Sequence, residues 1–81
     1  MKLEIISPEK RIFTGEVESV NLPGTAGSFT VLPHHAALIS SLKTGEIAYT
    51  SEGNETKLKI DSGFVEVKRN VVSVCVEKVL N

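Results

Sequence analysis

The sequence predicts an all-β fold, a small β-sandwich of many short, mostly antiparallel strands with little or no helix. Apolar and polar residues alternate along much of the chain, and this period of two is typical of strands. Turn-forming residues interrupt the alternation at short intervals, and strands at this spacing are typical of a sandwich or barrel. The turn signals are Ser7-Pro8, Leu22-Pro23-Gly24, Lys43-Thr44-Gly45, Glu52-Gly53-Asn54, Asp61-Ser62-Gly63 and Arg69-Asn70.

Residues 1–81 are predicted to form a single domain. Hydrophobic residues make up 41% of the chain, charged residues 23%, and the net charge is −1, values typical of an ordinary folded protein. Basic residues are interspersed with acidic ones, so no positive field favours nucleic acid. No apolar stretch approaches the roughly 18–20 residues of a membrane span. We therefore expect membrane association only through a partner.

The N-terminal residues and the cysteine content bear on the cellular compartment. The opening stretch, MKLEIISPEK, has neither a long apolar core nor a small-residue cleavage site. The chain has one cysteine, Cys75, which cannot form an internal disulfide. Both features predict a cytosolic protein.

The first half of the chain shows one break in the alternation. An opening strand ends before Ser7-Pro8, and Val17 then lies on one face while Val20 and Leu22 lie on the other. A β-bulge or a strand that changes sheets would explain the slip. The PGTAG segment after it is interpreted as a tight turn between strands, because no Lys-Ser or Lys-Thr follows to make it a phosphate loop.

The segment GSFTVLPHHAAL, residues 27–38, concentrates apolar side chains around Pro33 and contains two adjacent histidines. A small sandwich has little interior left to bury all of this area, so an exposed share would mark a protein contact. The overlapping segment HAALISSL, residues 35–42, is the only stretch that could form a turn or two of helix.

Two strands are predicted in the second half. In ETKLKID, Thr56, Leu58 and Ile60 face one way and the lysines between them the other, which predicts a strand with one wet face. In VVSVCVEK, residues 71–78, alternate valines face one way, with Val71, Ser73 and Cys75 on the other face. We expect this second segment to be a central strand buried on both sides.

Candidate reactive residues are few. His34 and His35 are adjacent on predicted extended backbone and point to opposite faces, so they cannot easily share a metal ion that needs three or four ligands. No serine is framed by the glycines of a nucleophile elbow. Two alternatives remain open: a biotinyl or lipoyl carrier modified at Lys43, and an enzyme that uses His34, His35 and Cys75. If neither alternative holds, we expect the protein to bind no metal and no cofactor.

A series of short motifs runs along the whole chain. In order they are an opening strand with Ser7-Pro8-Glu9; Gly15-Glu16-Val17-Glu18; Leu22-Pro23-Gly24; Gly27; Leu32-Pro33 with His35-Ala36; Leu42 and Gly45; Gly63-Phe64-Val65-Glu66-Val67; and Asn70 with Val72. In these motifs and their order the sequence resembles, over its whole length, the N-terminal domain of the epsilon subunit of F-type ATP synthases, which is equivalent to the mitochondrial delta subunit.

The resemblance implies a non-catalytic β-sandwich on the central rotor stalk, which binds the gamma subunit and touches the c ring. In that role it would help to transmit torque, with only indirect connection to the alpha/beta catalytic head. The protein would lie peripherally on the cytoplasmic face of the cell membrane, as part of the complex. By position in the motif, Ser28 and its neighbours would approach the ring loops, and Phe29, Val31, Leu32 and His35 would belong to the wider rotor contact.

Some positions depart from the family pattern. Ala37 stands where proline is frequent, and Thr30 and Ser62 stand where glycine is common. His34 fills a position often held by glycine, so we predict a left-handed or turn conformation there. Family members usually continue into a C-terminal two-helix hairpin, and this chain stops at Asn81. If that is the natural end, we expect no inhibition by an extending hairpin and no ATP sensing by such a hairpin.

Overall fold

A computed structural model of the chain describes residues 1–80, which form nine strands and no helix. The all-β prediction is therefore confirmed. Within those residues there is no helix long and apolar enough to cross a membrane. The strands are β1 (Lys2–Ile6), β2 (Arg11–Glu16), β3 (Ser19–Gly24), β4 (Gly27–Val31), β5 (Leu38–Leu42), β6 (Gly45–Ser51), β7 (Asn54–Ile60), β8 (Gly63–Lys68) and β9 (Val71–Val76).

The strands form one continuous curled sheet that divides into two layers. The first layer has the order β2-β1-β9-β8-β5, and the second has β4-β3-β6-β7. The two are joined between β5 and β3 by one residue pair, Gly24 with Leu42. Only β1 and β9 run parallel, and the other pairs of named strands are antiparallel, as the sequence predicts.

The core lies between the layers and is built from alternate strand residues. No polar or charged residue among residues 1–80 is buried. At one side Phe13 of β2 packs on Tyr49 of β6, with ring centroids 4.5 Å apart. The side chains that are almost completely inaccessible are Leu3, Ile5, Val20, Leu22, Val31, Ile47, Ile60, Val65, Val67, Val72 and Val74. Burying such aliphatic side chains stabilises the fold by about 1.5–3 kcal/mol each.

Strand β9 is central, as predicted, because it pairs with β1 on one side and β8 on the other. Its inward residues Val72, Val74 and Val76 are buried. The expectation that both faces are buried is wrong, since Val71, Ser73 and Cys75 are only half-buried. The sandwich has two layers, so no third layer formed by residues 1–80 covers the outward face of a central strand.

The slip in alternation near Val17 marks the passage between layers. Strand β2 pairs with β1 up to Glu16, and β3 then pairs with β6 from Ser19 onward. The Val17 N–H donates to the Met1 carbonyl at 2.8 Å, and the Glu18 N–H donates to the Thr50 carbonyl at 2.8 Å. Of the two explanations, a strand that changes layers is the one realised here. A register irregularity does occur, but between Ile5 and Ile6 of β1.

The predicted turns occur with one shift of position. Leu22-Pro23-Gly24 forms the end of β3, and the turn itself is Thr25-Ala26, which confirms a tight turn in the PGTAG segment. The β8–β9 turn places Arg69 at φ 53° and Asn70 at φ 63°, the conformation of a two-residue type I′ hairpin turn.

The segment HAALISSL forms no helix. Residues 38–42 are strand β5, which pairs along its length with β8. Its alternation explains the outcome, because Leu42 is buried while Ile39 and Ser41 face outward. The hydrogen bonds offered by β8 and this period of two override a weak local preference for helix.

Candidate partner-contact loop

The segment joining β4 to β5, residues 32–37, is called here the β4–β5 loop. It begins with a tight turn in which the His35 N–H donates to the Leu32 carbonyl at 3.2 Å. Pro33 occupies the second position of this turn and His34 the third, with φ 65°. A type II turn favours proline at the second position and requires positive φ at the third. The left-handed conformation predicted for His34 is confirmed.

A long-range hydrogen bond anchors this loop. The His34 N–H donates to Oδ1 of Asn70 at 2.8 Å, across 36 residues of sequence. Asn70 lies in the β8–β9 turn, and its own carbonyl accepts a hydrogen bond from the Lys2 N–H at 3.1 Å. The loop is thereby tied to the end of the first layer, where β1, β8 and β9 meet.

The two histidines are not arranged as a metal site. Both are exposed, and Nδ1 of His35 donates to the carbonyl of its neighbour Ala36 at 2.8 Å. In residues 1–80 no three His, Cys, Asp or Glu side chains come together in a way that could hold a metal ion. The His35 hydrogen bond instead fixes the ring against the loop backbone.

The five predicted contact residues lie in four different environments. Leu32 is 55% exposed and lies in the loop with His35. Ser28 is exposed at the other end of β4, about 13 Å from Leu32 at roughly 3.3 Å per strand residue. Phe29 is partly buried and packs against the core. Including Val31 as a contact residue is wrong, because its side chain is completely buried and belongs to the core.

Phe29 is held by the backbone of the β3–β4 hairpin. A Cβ atom added at Gly24 would lie 2.9 Å from Cε1 of Phe29 and 2.7 Å from the Gly27 carbonyl oxygen. The Phe29 ring therefore lies against Gly24, so close that a side chain at Gly24 would collide with it. Phe29 nevertheless remains partly exposed, next to the exposed Ser28 in the chain.

Ile39, the second residue of β5, follows the loop directly and is 75% exposed, the largest fraction among the exposed large apolar residues of 1–80. It pairs with Glu66 on the outward face of the first layer. Sequence reasoning missed Ile39 because the segment around it could also be interpreted as a short helix. The alternation of β5 would have revealed it, since Ile39 has the opposite parity to Leu38 and Leu42.

A second apolar patch lies on the same outward face, one outward-facing row away from Ile39. Phe64 and Ile6 both pair with Cys75, so the three side chains form one row across β8, β9 and β1. Phe64 is 54% exposed and Ile6 40%. The row lines a shallow depression of about 250 Å³ together with Pro8. Cys75 is thus a half-buried thiol on a sheet face and not part of the core.

Lys43 is not placed as a carrier lysine would be. It is exposed in the connection from β5 to β6, two strands that do not pair with each other. Its backbone N–H donates to the Pro23 carbonyl at 2.9 Å. A lysine that swings between enzymes lies at the tip of a hairpin, whereas Lys43 lies where the chain crosses between layers.

Comparison with protein families gives one match that spans the chain. The family described as "ATP synthase, Delta/Epsilon chain, beta-sandwich domain" matches residues 1–81. Among curated relatives named ATP synthase epsilon chain, that of Geotalea uraniireducens is 39% identical over 77 residues, covering 95% of this chain and 56% of the relative. That of Leptospira interrogans is 43% identical over 75 residues, covering 91% of this chain and 58% of the relative.

The chain spans a little over half the length of these curated relatives. Solved structures show the same fold. A chain of the central stalk and c ring of the Tetrahymena thermophila mitochondrial ATP synthase matches with a TM-score of 0.85 at 13% identity, covering 99% of this chain and 65% of that one. A chain of the Euglena gracilis mitochondrial ATP synthase matches with a TM-score of 0.89 at 22% identity, covering 96% of this chain and 51% of that one.

Proposed function

The chain belongs to the family of ATP synthase delta and epsilon chains, as its β-sandwich domain, and on this premise we propose that it works in the rotor of a proton-translocating F-type ATP synthase. In this role it binds the gamma subunit and the c ring and helps to transmit torque between them. It contributes no active site of its own, and it reaches the catalytic head only through gamma. It lies on the cytoplasmic face of the membrane, held there by the complex.

The observation that carries the proposal is the family match over all 81 residues. Curated relatives that cover more than nine-tenths of the chain are named ATP synthase epsilon chain. One structural match comes from a central stalk and c ring, and the other comes from an assembly that includes a c ring. These assignments belong to the relatives, and they support the same placement for this chain.

The shape of the domain suits a mechanical role. A subunit that transmits torque needs a stiff body with attachment points that are separated from each other. Two hydrogen-bonded layers around an aliphatic core supply stiffness, because such cores are close-packed. Ser28 and Phe29 lie near one end of β4, and Leu32 with His35 lies beyond the other end.

We assign these two ends to different parts of the rotor contact. Ser28 and its neighbours approach the loops of the c ring, as their place in the family motif suggests. Leu32, His35 and the adjoining Ile39 form the wider rotor contact. Exposed apolar side chains such as Leu32 and Ile39 are the kind that become buried in protein interfaces.

An affinity purification tests the proposal. The tagged chain is expressed in its own source, the membranes are solubilised in mild detergent, and co-eluting proteins are identified by mass spectrometry. We expect the gamma subunit, the c subunit and the catalytic subunits to co-elute. Elution of the chain alone, or with a biosynthetic enzyme and with added mass on Lys43, would contradict the rotor assignment and favour a carrier.

A further inference from the structure

We propose that Asn70 is a positioning residue, whose side chain holds the β4–β5 loop in the conformation that meets the rotor partner. The identity of that partner rests on the function proposed above, but the effect of Asn70 on the loop does not. Asn70 itself need not touch the partner. It acts through His34, whose backbone it fixes, and therefore on the placement of Leu32 and His35.

The hydrogen bonds of the β4–β5 loop are of two kinds: two order the loop internally, and one fixes its position on the sandwich. The bond from the His35 N–H to the Leu32 carbonyl closes the turn, and the bond from the His35 ring to the Ala36 carbonyl orders one side chain. Both join residues within the loop, so neither fixes where the loop lies on the sandwich. The 2.8 Å bond from the His34 N–H to Oδ1 of Asn70 does so, because Asn70 lies outside the loop, in the β8–β9 hairpin.

Asn70 is itself well fixed. It lies at φ 63° in the β8–β9 turn, a conformation that asparagine adopts more readily than most residues. Its carbonyl accepts from the Lys2 N–H at 3.1 Å, which ties the turn to the beginning of β1. The side chain therefore projects from a backbone held on both sides, and it offers His34 an acceptor of defined position.

The loop has few other means to stay in place. Every residue from Leu32 to Ala37 is exposed, so packing against the core contributes little to its order. Exposed segments with few buried contacts open at low free energy. If the loop samples several positions, the apparent dissociation constant for the partner rises in inverse proportion to the fraction that is correctly placed. Asn70 raises that fraction.

Two substitutions of Asn70 distinguish the effect of its side-chain acceptor from the effect of its backbone conformation. Asn70→Gly keeps the positive φ but removes the acceptor, whereas Asn70→Asp keeps an acceptor oxygen and a residue type that tolerates the left-handed region. Glu52→Gly is the matched control, because Glu52 also has positive φ, at 52°, but lies in the β6–β7 turn of the other layer. Each variant is first checked for a cooperative unfolding transition like that of the wild type.

The first readout is hydrogen exchange of the His34 amide, measured by NMR on the isolated chain. We expect exchange in Asn70→Gly to be faster by between about twofold and tenfold, the equivalent of one net hydrogen bond. Asn70→Asp should exchange at nearly the wild-type rate, and Glu52→Gly should be unchanged. Equal exchange in Asn70→Gly and the wild type would overturn the proposal.

The second readout is affinity for the purified rotor, a complex of gamma and c ring. We expect the dissociation constant of Asn70→Gly to be higher than that of the wild type by a similar factor. That of Asn70→Asp should lie close to the wild-type value. Undiminished binding by Asn70→Gly, with its His34 amide exchanging faster, would overturn the positioning role. If the wild type itself fails to bind, the proposed function is wrong, and the exchange experiment still decides whether Asn70 orders the loop.

Discussion

Phe13 of β2 and Tyr49 of β6 lie with ring centroids 4.5 Å apart and planes inclined by 36°, and they connect the two layers of the sandwich. Strand β2 is the outer strand of its layer and pairs with β1 alone. The aromatic pair therefore gives this edge strand a second attachment to the fold, in addition to its hydrogen bonds with β1.

The aromatic pair leads to a prediction about stability. In a double-mutant cycle with Phe13→Leu and Tyr49→Leu, the coupling free energy should be about 0.5–1.5 kcal/mol, the value for an aromatic pair beyond its buried area. Urea denaturation of the two single variants and the double variant measures it. Strictly additive single effects would show that the rings act independently.

Gly63 should tolerate no side chain. A Cβ atom at this position would collide with the carbonyl oxygen of Cys75 and lie 3.1 Å from the Cα of Val76, both on the neighbouring strand β9. Backbone cannot move aside as a flexible side chain can, so Gly63→Ala should lower the free energy of unfolding by about 1–3 kcal/mol. Ser62→Ala, one residue away, is the control and should have a much smaller effect in the same denaturation experiment.

His35→Ala should weaken assembly with the rotor while the chain still folds, because the proposed function places this exposed ring, held against the Ala36 carbonyl, in the partner contact. His34→Gly is the matched control. Glycine suits the third position of the type II turn, so its unfolding free energy should be unchanged or higher by up to about 1 kcal/mol. Urea denaturation measures the unfolding free energy of each variant, and quantitative co-purification with gamma and c subunits measures assembly. Normal recovery of His35→Ala would contradict this role.

Ile39→Ser should weaken assembly with the rotor while leaving the stability of the fold almost unchanged. Because Ile39 is 75% exposed, its replacement should change the free energy of unfolding by less than about 0.5 kcal/mol. Recovery of the rotor subunits should nevertheless fall, since the contact loses apolar area. Lys57→Ser, on the exposed edge of β7 in the other layer, is the control and should leave recovery unchanged. Equal recovery of both variants would remove Ile39 from the contact.

Much of the fold follows from local pattern. The alternation of Val72, Val74 and Val76 predicts β9 and its inward face, and the residues at Arg69-Asn70 predict the hairpin turn before it. The position of Pro33 and the family pattern at His34 predict the turn that opens the β4–β5 loop. In each case the physical cause lies within a few neighbouring residues, so it is visible in the sequence.

The errors have a common cause in tertiary structure. Val31 belongs by sequence to an exposed apolar segment, but its parity on β4 turns it into the core, while Leu32 beyond the strand end stays outside. Whether β9 is covered on one face or two depends on the number of layers, which alternation alone does not give. The bond between His34 and Asn70 joins residues 36 positions apart, so no local pattern could reveal it.

Site-specific photo-crosslinking tests the rotor contact most directly. A photoreactive phenylalanine analogue is placed singly at Ser28, Leu32 or Lys57, and the assembled complex is irradiated in native membranes before the products are identified. We predict adducts with the c subunit from Ser28 and with the gamma or c subunit from Leu32, and none with either from Lys57. Assembled chains that give no adduct with gamma or c from either Ser28 or Leu32 would contradict the account.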